Sequence, residues 1–209
     1  MIFDTETTGL PTSMYPVPFY TPDYDSCRLL QIAWYIVDEY GLIVSKEMHL
    51  VSPPDGTTLS PSHPTPNLLE EAKKYGKPLK EVLKSIEKAA STTSRLMAFN
   101  SPFDVNIVLA EIFRLPKEEQ NEFYNLRIIF QTFEQVCIMR LLTPMMKLPS
   151  KNGIGYKWPS LKSVAIECLG EEEGSKQTHH ADDDVEMLWK CIMVLNENDW
   201  ISLFLKLEP

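Results

Sequence analysis

The sequence predicts a mixed α/β sheet flanked by helices. Three observations predict it. The chain opens on a short apolar strand; residues 29–37 form a long apolar run that turns back on itself; and short apolar strands then alternate with amphipathic stretches. The turn-back is a hairpin and supplies antiparallel pairing, whereas strand–helix–strand units join parallel strands, so the sheet must be mixed. The 209 residues, 44% hydrophobic and 23% charged, suit a single domain over 1–209 with a sizeable core.

Ile2 and Phe3 form the first strand, which Thr7-Thr8-Gly9 breaks. Residues 11–27, with Pro11, Tyr15, Pro16, Pro18, Phe19, Tyr20 and Tyr24, show neither helical nor strand periodicity and read as a long loop. Residues 29–37 are a strand, Asp38-Glu39-Tyr40-Gly41 is its turn, and residues 42–51 return antiparallel. A proline-rich loop covers 52–66. Residues 67–75 read as a short helix closed by Gly76, and Pro78 opens a second with Val82, Leu83 and Ile86 on its apolar side. Residues 96–99 are a short strand. A helix follows to about Arg114, with Ser101 as N-cap and Pro102 in its first turn. Residues 117–123 read as a short charged helix. Residues 128–142 are ambiguous, with a strand near Val136 and then helix. Residues 143–159 read as loop, 161–169 as an amphipathic helix ended by Gly170, and 171–176 as a polar turn. The last helix starts at His179 or Ala181, and its core stripe is Val185, Leu188, Ile192 and Leu195.

Composition excludes several classes. The formal charge is −9, which argues against a basic protein that coats nucleic acid, although bound divalent ions or a local basic rim fit within a negative total. No apolar run approaches the ~20 residues of a membrane span, and Asp4 and Glu6 come too early for a signal peptide. Cys27, Cys137, Cys168 and Cys191 lie far apart without a CxxC pair and read as reduced, mostly buried thiols of an intracellular protein.

Three stretches carry chemistry. Strand side chains alternate faces, so Asp4 and Glu6 share one side, where a divalent cation would relieve their repulsion; from Asp-x-Glu alone, a solvated strand end with two ordinary surface acids is the better reading. Asp104 lies in the first turn of a helix that follows a strand. It sits where sites of α/β sheets gather, but taken alone an acid that merely complements the helix dipole is the better reading. In Thr178-His179-His180-Ala181-Asp182-Asp183-Asp184, only Asp184 shares a face with Leu188, Cys191 and Leu195; Asp182 and Asp183 face water. A carboxylate at the margin of the packed side wants a partner.

Together these stretches resemble the three motifs of the DEDDh branch of the DEDD (DnaQ-like) 3′–5′ exonucleases, in order and in spacing. Asp4-Thr5-Glu6-Thr7-Thr8-Gly9-Leu10 is similar to the first; Asn100, Phe103 and Asp104 to the second; His179, Ala181 and Asp184 to the third, where the five-residue spacing selects His179 over His180. Arg28-Leu29-Leu30-Gln31-Ile32-Ala33 looks like the family's second strand, and Gly155-Tyr156-Lys157-Trp158-Pro159-Ser160-Leu161 like a signature of its bacterial, phage and large-virus members. Two departures stand out. Only Met1 to Phe3 precede Asp4, so the chain begins flush with its strand or its start is trimmed. His63-Pro64-Thr65-Pro66 replaces the His-Gly-Ile-Thr of many members.

The resemblance implies an RNase H-like, mixed five-stranded sheet with one antiparallel strand, and two Mg²⁺ or Mn²⁺ ions. Asp4, Glu6, Asp104 and Asp184 would be the metal ligands and His179 the general base. Thr7, Thr8, Leu10, Asn100 and Phe103 would meet the terminal nucleotide, Thr7 at its 3′-hydroxyl. The aromatics of loop 11–27 either stack on bases or pin the loop to the core. The implied substrate is a single-stranded or frayed 3′ end of DNA, with an exoribonuclease as the alternative. A non-catalytic exonuclease fold that binds a polymerase is the reading of another class, at odds with the full set of acids. A polymerase or a second copy of the chain is the implied protein partner, DNA repair or proofreading the implied setting, and cytoplasm or nucleoid/nucleus the expected location, with no membrane.

Overall fold

The computed structural model describes residues 1–12 and 22–204; Tyr15, Pro16, Pro18, Phe19 and Tyr20 of the first loop lie outside them. Five strands form one sheet: β1 (Ile2–Thr7), β2 (Leu29–Val37), β3 (Ile43–Leu50), β4 (Arg95–Ala98) and β5 (Glu134–Cys137). Their order is β3-β2-β1-β4-β5. β1 and β2 pair antiparallel, as do β2 and β3, while β4 pairs parallel with β1 and with β5. β2 is therefore the one strand that runs against the rest, as the hairpin and the later strand–helix units require. β1 runs through to Thr7, beyond the two residues the apolar run marks.

The helices are α1 (Leu68–Tyr75), α2 (Leu79–Ala90), α3 (Ser101–Arg114), α4 (Lys117–Gln120), α5 (Tyr124–Thr132), α6 (Ile138–Met146), α7 (Leu161–Leu169), α8 (Glu171–Gly174) and α9 (Ala181–Glu197). They cover two faces of the sheet, and strand alternation divides the core accordingly. Phe3, Ile32, Trp34 and Leu96 pack beneath α2, α3 and α5; Ile2, Ala33, Tyr35, Met97 and Val136 pack beneath α6, α7 and α9. Leu161–Leu169 has the predicted bounds because Ser160 makes a capping box with Ser163 and Gly170 ends the helix at φ +86°. Among the described residues no helix is long and apolar enough to cross a membrane. Cys27, Cys137 and Cys191 are buried and Cys168 half-buried, all as free thiols.

Four local readings are corrected. α5 occupies 124–132, where only residues from 128 were marked, and as ambiguous. It buries Leu126, Ile129 and Phe130. α6 runs on through Pro144 to Met146 in the stretch read as loop. A proline there forfeits one helical bond, but Met145 and Met146 pack onto the core that Leu142 enters. Residues 171–174 form a helical turn rather than an open one. The N-cap of α3 is Asn100, not Ser101, and it acts through its carbonyl, which accepts from Phe103 N at 2.8 Å.

Candidate active site

The site forms at the carboxyl end of β1, where elements from both faces of the sheet meet. Asp4 and Glu6 project on the face of Ile2, toward α9. Pairing of β1 with β4 is set at Ile2 opposite Met97; farther along, β1 meets α3 instead. There Thr5 N and Thr5 Oγ1 both donate to Asp104 Oδ1, at 3.0 and 2.7 Å. Asp104 thus stitches α3 to the strand that carries the other acids, and its role is not that of a simple dipole complement.

From the opposite face, α9 brings Asp184, which is 5% exposed. Gln31 of β2 fixes the start of that helix: its side-chain Oε1 accepts from Ala181 N at 2.9 Å, satisfying one of the donors a helix start leaves open. Asp182 is half-buried rather than solvated, 3.4 Å from Gln31 Nε2, while Asp183 is exposed as expected. Gln177 Nε2 donates to Asp184 Oδ2 at 2.8 Å; among the described residues Asp184 Oδ1 is buried without a hydrogen-bond partner.

His179 is exposed and left-handed, at φ +58°. Histidine enters that region more readily than most residues, but the conformation must be held. Thr65 holds it: its Oγ1 donates to His179 O at 2.9 Å across 114 residues of sequence. Glu6, His179 and Asp184 offer donor atoms that all lie within 4.8 Å of one another. His180, the N-cap residue of α9, is outside this group.

Unpaired acids in so small a space resist ionisation. Burial, then Asp104, Glu6 and Asp184, push Asp4 well above the usual carboxylate range. Burial, then Asp184 and Asp104, push Glu6 up to about 8. Asp104 rises to about 7 through burial, although its bonds from Thr5 oppose the rise. Asp184 is raised by burial too, opposed by Gln177 and His179. A buried, unpartnered carboxylate oxygen among acids that burial and one another keep from ionising, with an imidazole beside them, fits a hard divalent cation.

A cleft of about 560 Å³ opens over these groups, and Asp4, Glu6, Asp104 and His179 line it. Thr7, Leu10, Asn100 and Phe103 line it as well. Leu10 is 79% exposed at the rim. Thr7 Oγ1 donates to Gly9 O at 2.7 Å, which leaves its oxygen free to accept. Thr8 stands apart. It is buried, its hydroxyl donates to Ser26 O and accepts from Arg28 N, and it anchors the turn instead of lining the cleft. Sequence reasoning missed Ser60, Ser62, His63 and Pro64, which also line the cleft. The one available signal was His63-Pro64, marked as a departure without a role. Tyr24, the loop aromatic within the described residues, is buried with its hydroxyl accepting from Asn106, so it pins the loop.

An exonuclease family model, RNase_T, matches residues 1–192. The chain belongs to that exonuclease family. The matched span includes every motif that resembles the DEDDh branch. The chain of this RNase_T-family protein is also similar to solved exonuclease I structures. One is a product-bound form, at TM-score 0.64 and 13% identity over 94% of this chain and 42% of that one. Another is a zinc-bound E. coli ExoI–ssDNA complex, at TM-score 0.64 and 15% identity over 94% and 40%. A third is a moderately thermophilic exonuclease I from Methylocaldum szegediense, at TM-score 0.61 and 18% identity over 94% and 40%. At these identities the likeness is one of fold, and the chain spans about two fifths of the length of those it matches. None of the curated proteins searched matches it.

Thr65→Val removes the hydroxyl that holds His179 while keeping the side-chain shape. If His179 must be aimed, the variant loses about tenfold or more in kcat, the scale on which outer-sphere partners act, with KM little changed. Steady-state kinetics check this, and a parent-like kcat would remove Thr65 from any positioning role.

Proposed function

We propose that this chain is a metal-dependent 3′–5′ exonuclease, a single domain over 1–209. It would release nucleoside 5′-monophosphates from the 3′ end of nucleic acid, DNA above RNA. The observation that carries the reading is the convergence of Glu6, Asp184 and His179 within 4.8 Å, beside a cleft that Glu6 and His179 line, with one Asp184 oxygen left unpartnered among the described residues. Asp4, Glu6, Asp104 and Asp184 would hold two Mg²⁺ or Mn²⁺ ions. When bound, such ions lower the pKa of water and offset charge on phosphate oxygens.

The residues of the chain do the rest. His179, exposed and lining the cleft, takes a proton from the water that attacks phosphorus, a task that suits an imidazole nitrogen. The phosphorus–oxygen bond to the preceding nucleotide's 3′-oxygen breaks, leaving the phosphate on the 5′-oxygen of the released nucleotide. Thr7 Oγ1 accepts from the terminal 3′-hydroxyl, which only a free 3′ end presents at that place. Leu10 and Phe103 give apolar surface to the terminal base, and Asn100 an amide at its edge.

The test uses 5′-labelled single-stranded, 3′-recessed and RNA oligomers with Mg²⁺, with Mn²⁺ and with EDTA. A one-nucleotide ladder on DNA that EDTA abolishes is expected. A ladder on RNA alone would make the chain an exoribonuclease. No cutting by folded protein with either metal would leave an exonuclease fold kept for binding, as in a polymerase subunit.

A further inference from the structure

Residues 135–166 contain Arg140, Lys147, Lys151, Lys157 and Lys162 and no aspartate or glutamate, in a chain whose net charge is −9. Within this stretch, between α6 and α7, residues 147–158 form a built hairpin. Pro149 pairs with Tyr156 as an antiparallel bridge, and Lys157 N donates to Leu148 O at 2.9 Å. Ser150 Oγ donates to Ile154 O at 2.9 Å, and Gly153 and Gly155 take the positive φ of 70° and 67° that the tip needs. The hairpin turns its apolar groups outward: Ile154 is 79%, Trp158 59% and Tyr156 48% exposed. Lys147, Lys151, Lys157 and Lys162 are exposed around them.

Large aromatics left in water beside acid-free lysines lack a partner within the described fold, and the combination suits one kind of ligand. Aromatic faces stack on bases of any identity, and lysines neutralise the phosphates between them. The helix before the hairpin is tied to a cleft residue, and the helix after it packs in the same core as α9, which carries Asp184. Met139 N at the start of α6 donates to Phe99 O, a cleft residue, at 2.9 Å, and Leu161 of α7 packs in the core that holds Ala181 and Val185 of α9.

We propose that this hairpin is a docking arm for single-stranded nucleic acid, which holds the strand upstream of the 3′ end by stacking on Tyr156 and Trp158 and by phosphate contacts to Lys151 and Lys157. It deepens the exonuclease reading by adding a site for the polymer apart from the site for the terminal nucleotide. Its consequence is a preference for long over short substrates.

Two readouts test it. The first is anisotropy of a 5′-labelled oligothymidylate in EDTA, titrated at several salt concentrations. Tyr156→Ala with Trp158→Ala is expected to weaken binding by about tenfold or more, since each stacked base counts for roughly 1–3 kcal/mol. Lys151→Gln with Lys157→Gln is expected to flatten the logarithmic salt slope by about 1.4, at ~0.7 for each phosphate no longer neutralised. The second readout is turnover of the p-nitrophenyl ester of thymidine 5′-monophosphate with Mn²⁺, for which the ratio of oligomer KM to ester KM should rise about tenfold in the aromatic variant. Binding and salt slope equal to the parent's in both variants would overturn the arm. Equal losses on oligomer and ester would overturn it too, because a polymer site cannot act on a mononucleotide. A parent that binds the oligomer through the hairpin but, with either metal, cuts neither the oligomer nor the ester would instead refute the exonuclease reading and keep the arm.

Discussion

Asp184→Asn is expected to lower oligonucleotide hydrolysis by at least about 10²-fold, more than the loss of an outer-sphere partner costs, while the metal-free fold stays as stable as the parent or gains stability. The substitution keeps the shape of a side chain that is 5% exposed, and an amide oxygen can still accept from Gln177. It removes one negative charge from a group in which Asp184 helps to raise both Asp4 and Glu6. Lost rate with retained or higher Tm separates a ligand from a structural acid, whose loss would lower both. His179→Ala should cost a similar ~10²-fold through loss of the base, and His180→Ala little, because His180 lies outside the 4.8 Å group. Near-parent rates in Asp184→Asn or in His179→Ala would end the assignment, and a collapse confined to His180→Ala would exchange the two histidines.

Without metal, stability should fall as the pH rises from about 4 to about 8. Glu6 moves from 4.5 to about 8 on folding and Asp104 from 3.8 to about 7, with Asp4 raised in the same direction. Across that window the folded chain keeps protons that the unfolded chain has released. Each step up in pH therefore favours unfolding, and the loss is complete once the folded acids have ionised. Below about 4 both states are protonated and the penalty is absent. Divalent cations should do at pH 8 what protons do at pH 5. Thermal melts in EDTA are expected to show a lower Tm at pH 8 than at pH 5, and Mn²⁺ or Mg²⁺ should recover the difference at pH 8. For a chain of this size, 1 kcal/mol moves Tm by roughly 2–4 °C, which is readily measured. A flat profile in EDTA, or no lift from either metal at pH 8, would mean that the acids are paired with something other than a cation.

The faces of Asp4, Glu6 and Asp184 follow from local periods, whereas only the family resemblance drew these acids, Asp104 and His179 into one candidate site. Alternation along β1 puts Asp4 and Glu6 on one face, and the helical repeat separates buried Asp184 from exposed Asp183. The third motif that this stretch resembles, through its spacing to Asp184, selects His179. The mixed sheet was legible locally too, since a hairpin and strand–helix units dictate strand direction. The ends of α6 were not, because local propensity at Pro144 opposes a helix that burial of Leu142, Met145 and Met146 sustains.

Only the tertiary structure decided how those groups are held. Thr5 grips Asp104 across 99 residues, Gln31 fixes the start of α9 across 150, and Thr65 fastens His179 across 114. It also withdrew Thr8 from the cleft and added Ser60, Ser62 and His63 to its lining. A side chain's face follows from its own stretch of chain, whose repeat is written residue by residue. Its hydrogen-bond partner depends on which distant segment packing brings within 3 Å, and no local repeat records that.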